Sequence, residues 1–207
     1  MDVLVLSPHT DDSELGAGGT ISRLKREGHD VYYVAFSTCD QSLPAGREDV
    51  LRDEFERVMA LVQPREHFVL DYTVRRFNER RQDVLEDLVE IRDAVRPDLV
   101  IGPSLSDFHQ DHVVVANEMV RAFKTDASII TYELPWNHIT FEMQMFYRLR
   151  EQDVANKLEQ LEKYRSQIEE KDRSYFQEEF VRGLAAVRGV QCNAPYAEAF
   201  SVIRWSR

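Results

Sequence analysis

Short apolar runs alternate with amphipathic stretches along most of the chain. Residues 2–6 (Asp-Val-Leu-Val-Leu) form an apolar run that enters Ser-Pro-His, the profile of a buried strand meeting a loop. Residues 13–27 follow, with Leu15, Ile21 and Leu24 at helical spacing and Gly28 as a C-terminal stop. Residues 31–37 are rich in β-branched and aromatic side chains and predict a second strand. Beyond the loop 38–46, the spacing of Val50, Leu51, Phe55, Val58, Met59 and Val62 predicts a helix over 47–62. A strand at 68–71, a helix at 81–95 stopped by Pro97, and a strand at 99–102 come next. A loop carrying His109, a helix at 113–123 and a strand at 129–134 complete the series.

Strand and helix thus alternate five times, and each crossover is long enough to return the next strand in parallel. This predicts an α/β fold with a mostly parallel sheet flanked by helices. Residues 143–148 and 200–205 predict further strands at a sheet edge, with two helical stretches between them. The first of these places Val154, Leu158, Leu161, Tyr164 and Ile168 on one stripe, the mark of a core face or a subunit interface. With 207 residues, no repeat and no Pro/Gly-rich linker, the expectation is a single domain over 1–207.

Composition narrows the partners. The chain carries 37 acids against 26 bases, a net charge of −11, so a large basic face for nucleic acid or anionic membrane is not expected. No window approaches roughly 18 consecutive apolar residues, and the first residues lack the basic flank of a signal peptide. A cytoplasmic protein is the resulting expectation. Cys39 and Cys192 lie far apart and form no CxxC, which argues for two unpaired thiols rather than a disulfide or thiolate zinc site.

Ligands of an open parallel sheet bind beyond the carboxyl ends of its strands. The loops there hold Ser7-Pro8-His9-Thr10-Asp11-Asp12-Ser13-Glu14 and Ser106-Asp107-Phe108-His109-Gln110-Asp111-His112. Three of the six histidines therefore fall in two segments that the fold should make neighbours. A divalent metal explains the concentration. His9 and Asp12 span about one turn, and His112 from the partner loop supplies a third ligand; two imidazoles and a carboxylate leave room for water, as in a catalytic zinc site. Asp11 is placed to take the proton of that water. His109, held by Asp111, is placed to stabilise an oxyanion or protonate a leaving amine as an imidazolium. The competing reading is that Asp11 or Asp12 caps the helix beginning near Ser13.

The stretch from Pro8 to Ile21 resembles the PHPDDxExGxGGT signature of the LmbE-like, or PIG-L, N-deacetylases, and His109-Gln110-Asp111-His112 resembles their HPDH segment. Tyr132-Glu133-Leu134-Pro135 and Glu198-Ala199-Phe200 extend the resemblance over most of the chain. It implies a Rossmann-like fold and zinc-dependent removal of an N-acetyl group, usually from an N-acetylglucosamine moiety, with one Zn2+ per chain or another divalent transition metal. The matching residues are His9, Asp12 and His112 as metal ligands, Asp11 as base, His109 as oxyanion-stabilising acid and Asp111 as the residue orienting it. The chain departs from the pattern at Thr10 and Gln110, where proline is usual. It also has Asp107 at a position where some relatives carry a mobile tyrosine. No apolar span that could serve as the membrane anchor of the eukaryotic branch is read in these residues, so a lipid-linked glycan is not the expected substrate.

For the small-molecule acetamido sugar so implied, Asp71 at the end of the third strand is a candidate for sugar hydroxyls. Arg47 or Arg52 at the head of the helix over 47–62 is a candidate for the aglycone, with Trp136 and His138 as pocket walls. The oligomeric state is left open. Rival readings fare less well. Gly16-Ala17-Gly18-Gly19 lacks the third glycine of a dinucleotide site, since Ile21 stands there. An iron facial triad would sit in an all-β scaffold. A metal-bearing sugar-binding module without turnover, and an amidase acting on a non-acetamido C–N bond, remain as alternatives.

Overall fold

A computed structural model describes residues 1–42 and 45–206. The chain forms a seven-stranded sheet in the order β3-β2-β1-β4-β5-β7-β6. The alternating part runs β1 (Asp2–His9), α1 (Asp12–Arg26), β2 (Asp30–Ser37), α2 (Val50–Val62), β3 (Glu66–Val69), α3 (Arg81–Val95), β4 (Leu99–Gly102), α4 (Gln110–Phe123) and β5 (Ser128–Tyr132). All five of these strands are parallel to their neighbours in the series. The chain continues through β6 (Met145–Leu149), α5 (Glu151–Leu161), α6 (Glu178–Gln191) and β7 (Tyr196–Arg204).

Alternation along β1 explains why the sheet is covered on both faces. Val3 and Val5 join one core with Leu15, Ile21, Phe55 and Val58 from α1 and α2. Leu4 and Leu6 point the other way, into a core with Leu88, Ile91, Val115 and Met119 from α3 and α4. α1 ends as the sequence reads: Gly28 takes φ +82°, and the N–H groups of Gly28 and His29 close on the carbonyls of Lys25 and Leu24. Gly16 lets α1 lie against the sheet, since a Cβ there would sit 2.4 Å from Tyr132 Cδ2.

The structure departs from the sequence reading at several points. β1 runs on past 6 to His9, because beyond Val5 only β2 continues the ladder and one side of the strand has no partner for Pro8 to fail. α4 starts three residues early, at Gln110, with His109 as its N-cap. β7 is not an edge strand: it pairs antiparallel with both β5 and β6, leaving β6 at the edge. The stripe over 154–168 is interrupted after Leu161 and resumes as one π-helical turn at Ser166–Glu170. The expected loop 38–46 includes 43 and 44, which lie outside the described residues. No helix among the described residues is long and apolar enough to cross a membrane.

Candidate active site

β1 has β2 on one side and β4 on the other, so the order in which successive strands join the sheet reverses between β1 and β4. Such a switch point opens a crevice at the strands' carboxyl ends. β1 delivers His9 into it, the first turn of α1 delivers Asp12, and the first turn of α4 delivers Asp111 and His112. A cavity of about 180 Å³ lies there, with His9, Asp11, Asp12, His109 and His112 on its floor.

Three atoms converge. Asp12 Oδ2 lies 3.1 Å from His9 Nδ1 and 3.1 Å from His112 Nε2, and these two nitrogens are 3.2 Å apart. The opposite nitrogen of each ring faces a carboxylate. His112 Nδ1 is 2.8 Å from Asp107 Oδ2, and His9 Nε2 is 3.1 Å from Asp111 Oδ2. Each ring is thereby placed to keep its proton on the outer nitrogen and turn a lone pair inward when a cation takes the place of the inner proton. Two lone pairs and a carboxylate oxygen meeting at about 3 Å make a cation-binding face. A tetrahedral zinc with arms of 2.0–2.1 Å needs ligand atoms roughly 3.3 Å apart, so the donor set fits a divalent ion. A third imidazole, His109, adds a nitrogen within 4.8 Å of the other two rings' nitrogens.

The electrostatics agree with a site that seeks positive charge. Burial opposes the His112 imidazolium, yet Asp12 and Asp107 outweigh it and push its pKa up to about 10. Asp12 suffers the same burial but is held well below the usual carboxylate range by His112 and His9. Asp11 differs. Burial and then the neighbouring Asp12 charge push it up to about 6. It precedes α1 without making a side-chain cap hydrogen bond, so its carboxylate is not spent on the helix.

His109 is oriented otherwise than expected. The Asp111 carboxylate is 4.0 Å from His109 Nδ1, farther than from His9. What His109 Nδ1 accepts is the backbone N–H of Asp111, at 3.3 Å, which leaves the ring proton on Nε2. Burial, then His9 and His112, pull its pKa down to about 4. His109 is thus a neutral N–H donor near neutral pH, not the imidazolium that the sequence suggested.

The substrate-contact expectations divide. Trp136 lines the cavity, stacked on Tyr175 with ring centroids 4.0 Å apart and planes 10° off parallel. Arg47 turns away to pair with Glu170 on the π-helical turn. Arg52 is half-buried and Asp71 exposed, and neither is among the lining residues. Asp71 misses because β3 ends at Val69, two residues earlier than predicted. His138 binds the Leu134 N–H through Nε2 instead of facing the cavity. The sequence reading did not single out Asp107 as the partner of His112, although an acid in the same short loop was the available signal. Nor did it find Arg75, Lys171, Arg173 and Tyr175, which reach the cavity from segments without a motif.

The family model PIG-L, described as GlcNAc-PI de-N-acetylase, matches residues 4–123. The chain belongs to the PIG-L family. A relative in Escherichia coli, described as the uncharacterized deacetylase YaiS, is 26% identical over 171 residues, covering 79% of this chain and 90% of its own. Among solved structures, the conserved protein TT1542 from Thermus thermophilus superposes with a TM-score of 0.78 at 22% identity, covering 100% of this chain and 99% of that one. The N,N'-diacetylchitobiose deacetylase from Pyrococcus horikoshii gives 0.72 at 21% identity, covering 98% and 83%. GalB, a 4-carboxy-2-hydroxymuconate hydratase from a pseudomonad, gives 0.75 at 19% identity, covering 100% and 97%. At such identities the structural likeness establishes the PIG-L fold alone, and the hydratase shows that this fold hosts more than one reaction.

Proposed function

We propose that this PIG-L chain is a divalent-metal-dependent hydrolase that removes the N-acetyl group from an acetamido sugar or sugar conjugate. The observation that carries the reading is the convergence of His9 Nδ1, Asp12 Oδ2 and His112 Nε2 within 3.1–3.2 Å, with Asp11 and His109 beside it. The matched family description and the diacetylchitobiose deacetylase among the structural neighbours support an acetamido substrate.

His9, Asp12 and His112 would hold the ion. When bound, a divalent metal supplies Lewis acidity toward the amide carbonyl and lowers the pKa of an adjacent water. Asp11 accepts the proton of the attacking water as the new C–O bond forms. His109 donates its Nε2–H to the oxyanion that the carbonyl oxygen becomes. Asp11 then returns its proton to the nitrogen as the C–N bond breaks, and the products are a primary amine and acetic acid, which gives up its proton to become acetate. Asp111 and Asp107 fix the tautomers of His9 and His112 throughout.

The test is release of primary amine from a panel of N-acetylglucosamine conjugates by zinc-loaded protein, with Asp11→Asn alongside. Amine from wild type alone is the expected result. A chain that binds metal yet releases none from any conjugate would sink the acetamido-sugar assignment and call for other amides, and for the hydration chemistry of the GalB-like branch.

A further inference from the structure

Asp11 accepts the water proton in the proposed reaction, yet no neighbouring side chain anchors it. Among the described residues its carboxylate takes no hydrogen bond from another residue and makes no cap bond to α1. Arg173, whose positive charge it feels, gives its own hydrogen bond to the Tyr175 hydroxyl. The aim of the Asp11 carboxylate is therefore left to its backbone. That backbone lies between two elements. The ladder of β1 ends at His9 and α1 begins at Asp12, with Asp11 at φ −106° and ψ −10°.

Most of the fastening of this turn is local. The Ser7 hydroxyl donates to the His9 carbonyl at 2.5 Å and accepts the Ser13 N–H at 3.1 Å. Asp12 Oδ2 accepts the His9 N–H at 2.8 Å, and the Asp11 carbonyl accepts the Leu15 N–H at 3.1 Å. One bond comes from far along the chain. The Tyr164 hydroxyl donates to the Thr10 carbonyl at 2.5 Å, across 154 residues. That carbonyl belongs to the planar peptide joining Thr10 to Asp11, so its direction helps to set where the Asp11 Cβ points.

Tyr164 is firmly placed for this task. It is fully buried, and its ring meets Phe176 edge-on with centroids 6.2 Å apart. Thr10 is buried as well, so solvent does not compete for its carbonyl. Tyr164 precedes the π-helical turn Ser166–Glu170, which the buried Glu54 of α2 pins by accepting the Ser166 N–H at 2.8 Å and the Ser166 hydroxyl at 2.7 Å. Gln167, Lys171, Arg173 and Tyr175 of the same segment line the cavity, whereas Tyr164 itself does not. Tyr164 thus joins the segment that walls the cavity to the peptide that aims the base.

We propose that Tyr164 is a positioning residue for Asp11: its hydroxyl orients the Thr10–Asp11 peptide so that the Asp11 carboxylate meets the attacking water. This deepens the deacetylase reading and rests on it for the reaction, but the link itself can be tested without turnover. Because Tyr164 lies outside the cavity, losing its hydroxyl acts on proton transfer and spares the binding of metal and substrate.

The experiment takes zinc-loaded wild type, Tyr164→Phe, Asp11→Asn and the double variant. It measures kcat and KM on the N-acetylglucosamine conjugate that wild type turns over best, with metal content and melting temperature alongside. Tyr164→Phe keeps the ring and is expected to lower kcat about 10–100-fold, with KM and zinc content within about twofold of wild type. In the Asp11→Asn background the same substitution should cost nothing further, because a residue that acts through Asp11 has no base left to aim. In parallel, NMR follows the amide nitrogen resonance of Asp11, which responds to hydrogen bonding at the preceding carbonyl and should move in Tyr164→Phe. A moved resonance in a protein that releases no amine from any conjugate would uphold the Tyr164–Asp11 link while the deacetylase reading failed. An unmoved resonance, an unchanged kcat, or equal losses in the two backgrounds overturns the proposal. A Tyr164→Phe chain that no longer folds or holds zinc would make the residue structural and overturn it too.

Discussion

The Asp107 carboxylate holds His112 from the side opposite the converging ligands, with Oδ2 2.8 Å from Nδ1, and its other oxygen accepts the His109 N–H at 2.7 Å. Asp107 thus sets both the tautomer of His112 and the position of the His109 backbone. Asp107→Asn keeps the shape but weakens the acceptor, so affinity for zinc should fall about 10–100-fold. Competition with a chromogenic chelator checks this. Unchanged affinity would mean that His112 does not depend on this partner.

Asp11 makes no cap hydrogen bond, and Asp12 is the acid whose Oδ2 lies among the metal-facing nitrogens. Asp11→Asn should therefore leave metal content and melting temperature near wild type while amide hydrolysis drops about 10²–10⁴-fold. Metal analysis and single-substrate kinetics on the same preparation separate the two effects. Loss of metal in Asp11→Asn would move Asp11 among the ligands.

How much of this was legible beforehand differs by element. The alternation of five strands with four helices follows from periodicity alone, because a strand buried on both faces and an amphipathic helix write distinct patterns. The two motif loops were legible because the chemistry is packed into short segments. Arg75, Lys171, Arg173 and Tyr175 were not, since each reaches the cavity only through tertiary placement and looks locally like an ordinary surface residue. Arg47 failed for a related reason. Its partner Glu170 lies on a π-helical turn that an unbroken helical stripe over 154–168 does not foretell. The pairing of Asp111 with His9 in place of His109 was hidden too, because it spans 102 residues and only the folded crevice brings the two together.

Close packing of α1 on β5 should be sensitive to a single methyl. A Cβ at Gly16 would meet three side-chain atoms of Tyr132 at 2.4–2.8 Å, and Tyr132 cannot swing away easily because it is fully buried with its hydroxyl donating to the Leu6 carbonyl at 3.2 Å. Gly16→Ala is expected to cost about 1–3 kcal/mol through overpacking, partly offset by better helix propensity. Chemical denaturation reads this directly. A neutral or stabilising outcome would show that α1 can lift from the sheet without loss.

Glu14 offers a prediction in which pH decides the sign. Its carboxyl is wholly buried, and Oε1 has no hydrogen-bond partner among the described residues. Oε2 lies 3.4 Å from the Tyr164 hydroxyl, whose own proton goes to the Thr10 carbonyl, and accepts from the Ser13 hydroxyl at 3.3 Å, a single neutral donor that offsets little of the cost of burying the charge. Burial accordingly pushes its pKa up to about 8, from an unfolded value near 4.5. Below pH 4.5 both states hold the proton and no penalty arises. Between 4.5 and 8 the folded chain keeps a proton that the unfolded chain has released, so this residue's contribution to stability declines steadily as pH rises. Glu14→Gln keeps the size and a donor but cannot ionise. Melting temperatures measured from pH 5 to pH 9 should show wild type losing ground to Glu14→Gln across that range, with the difference largest at the alkaline end. Parallel curves for the two proteins would show that Glu14 ionises in the folded chain as freely as it does in the unfolded one.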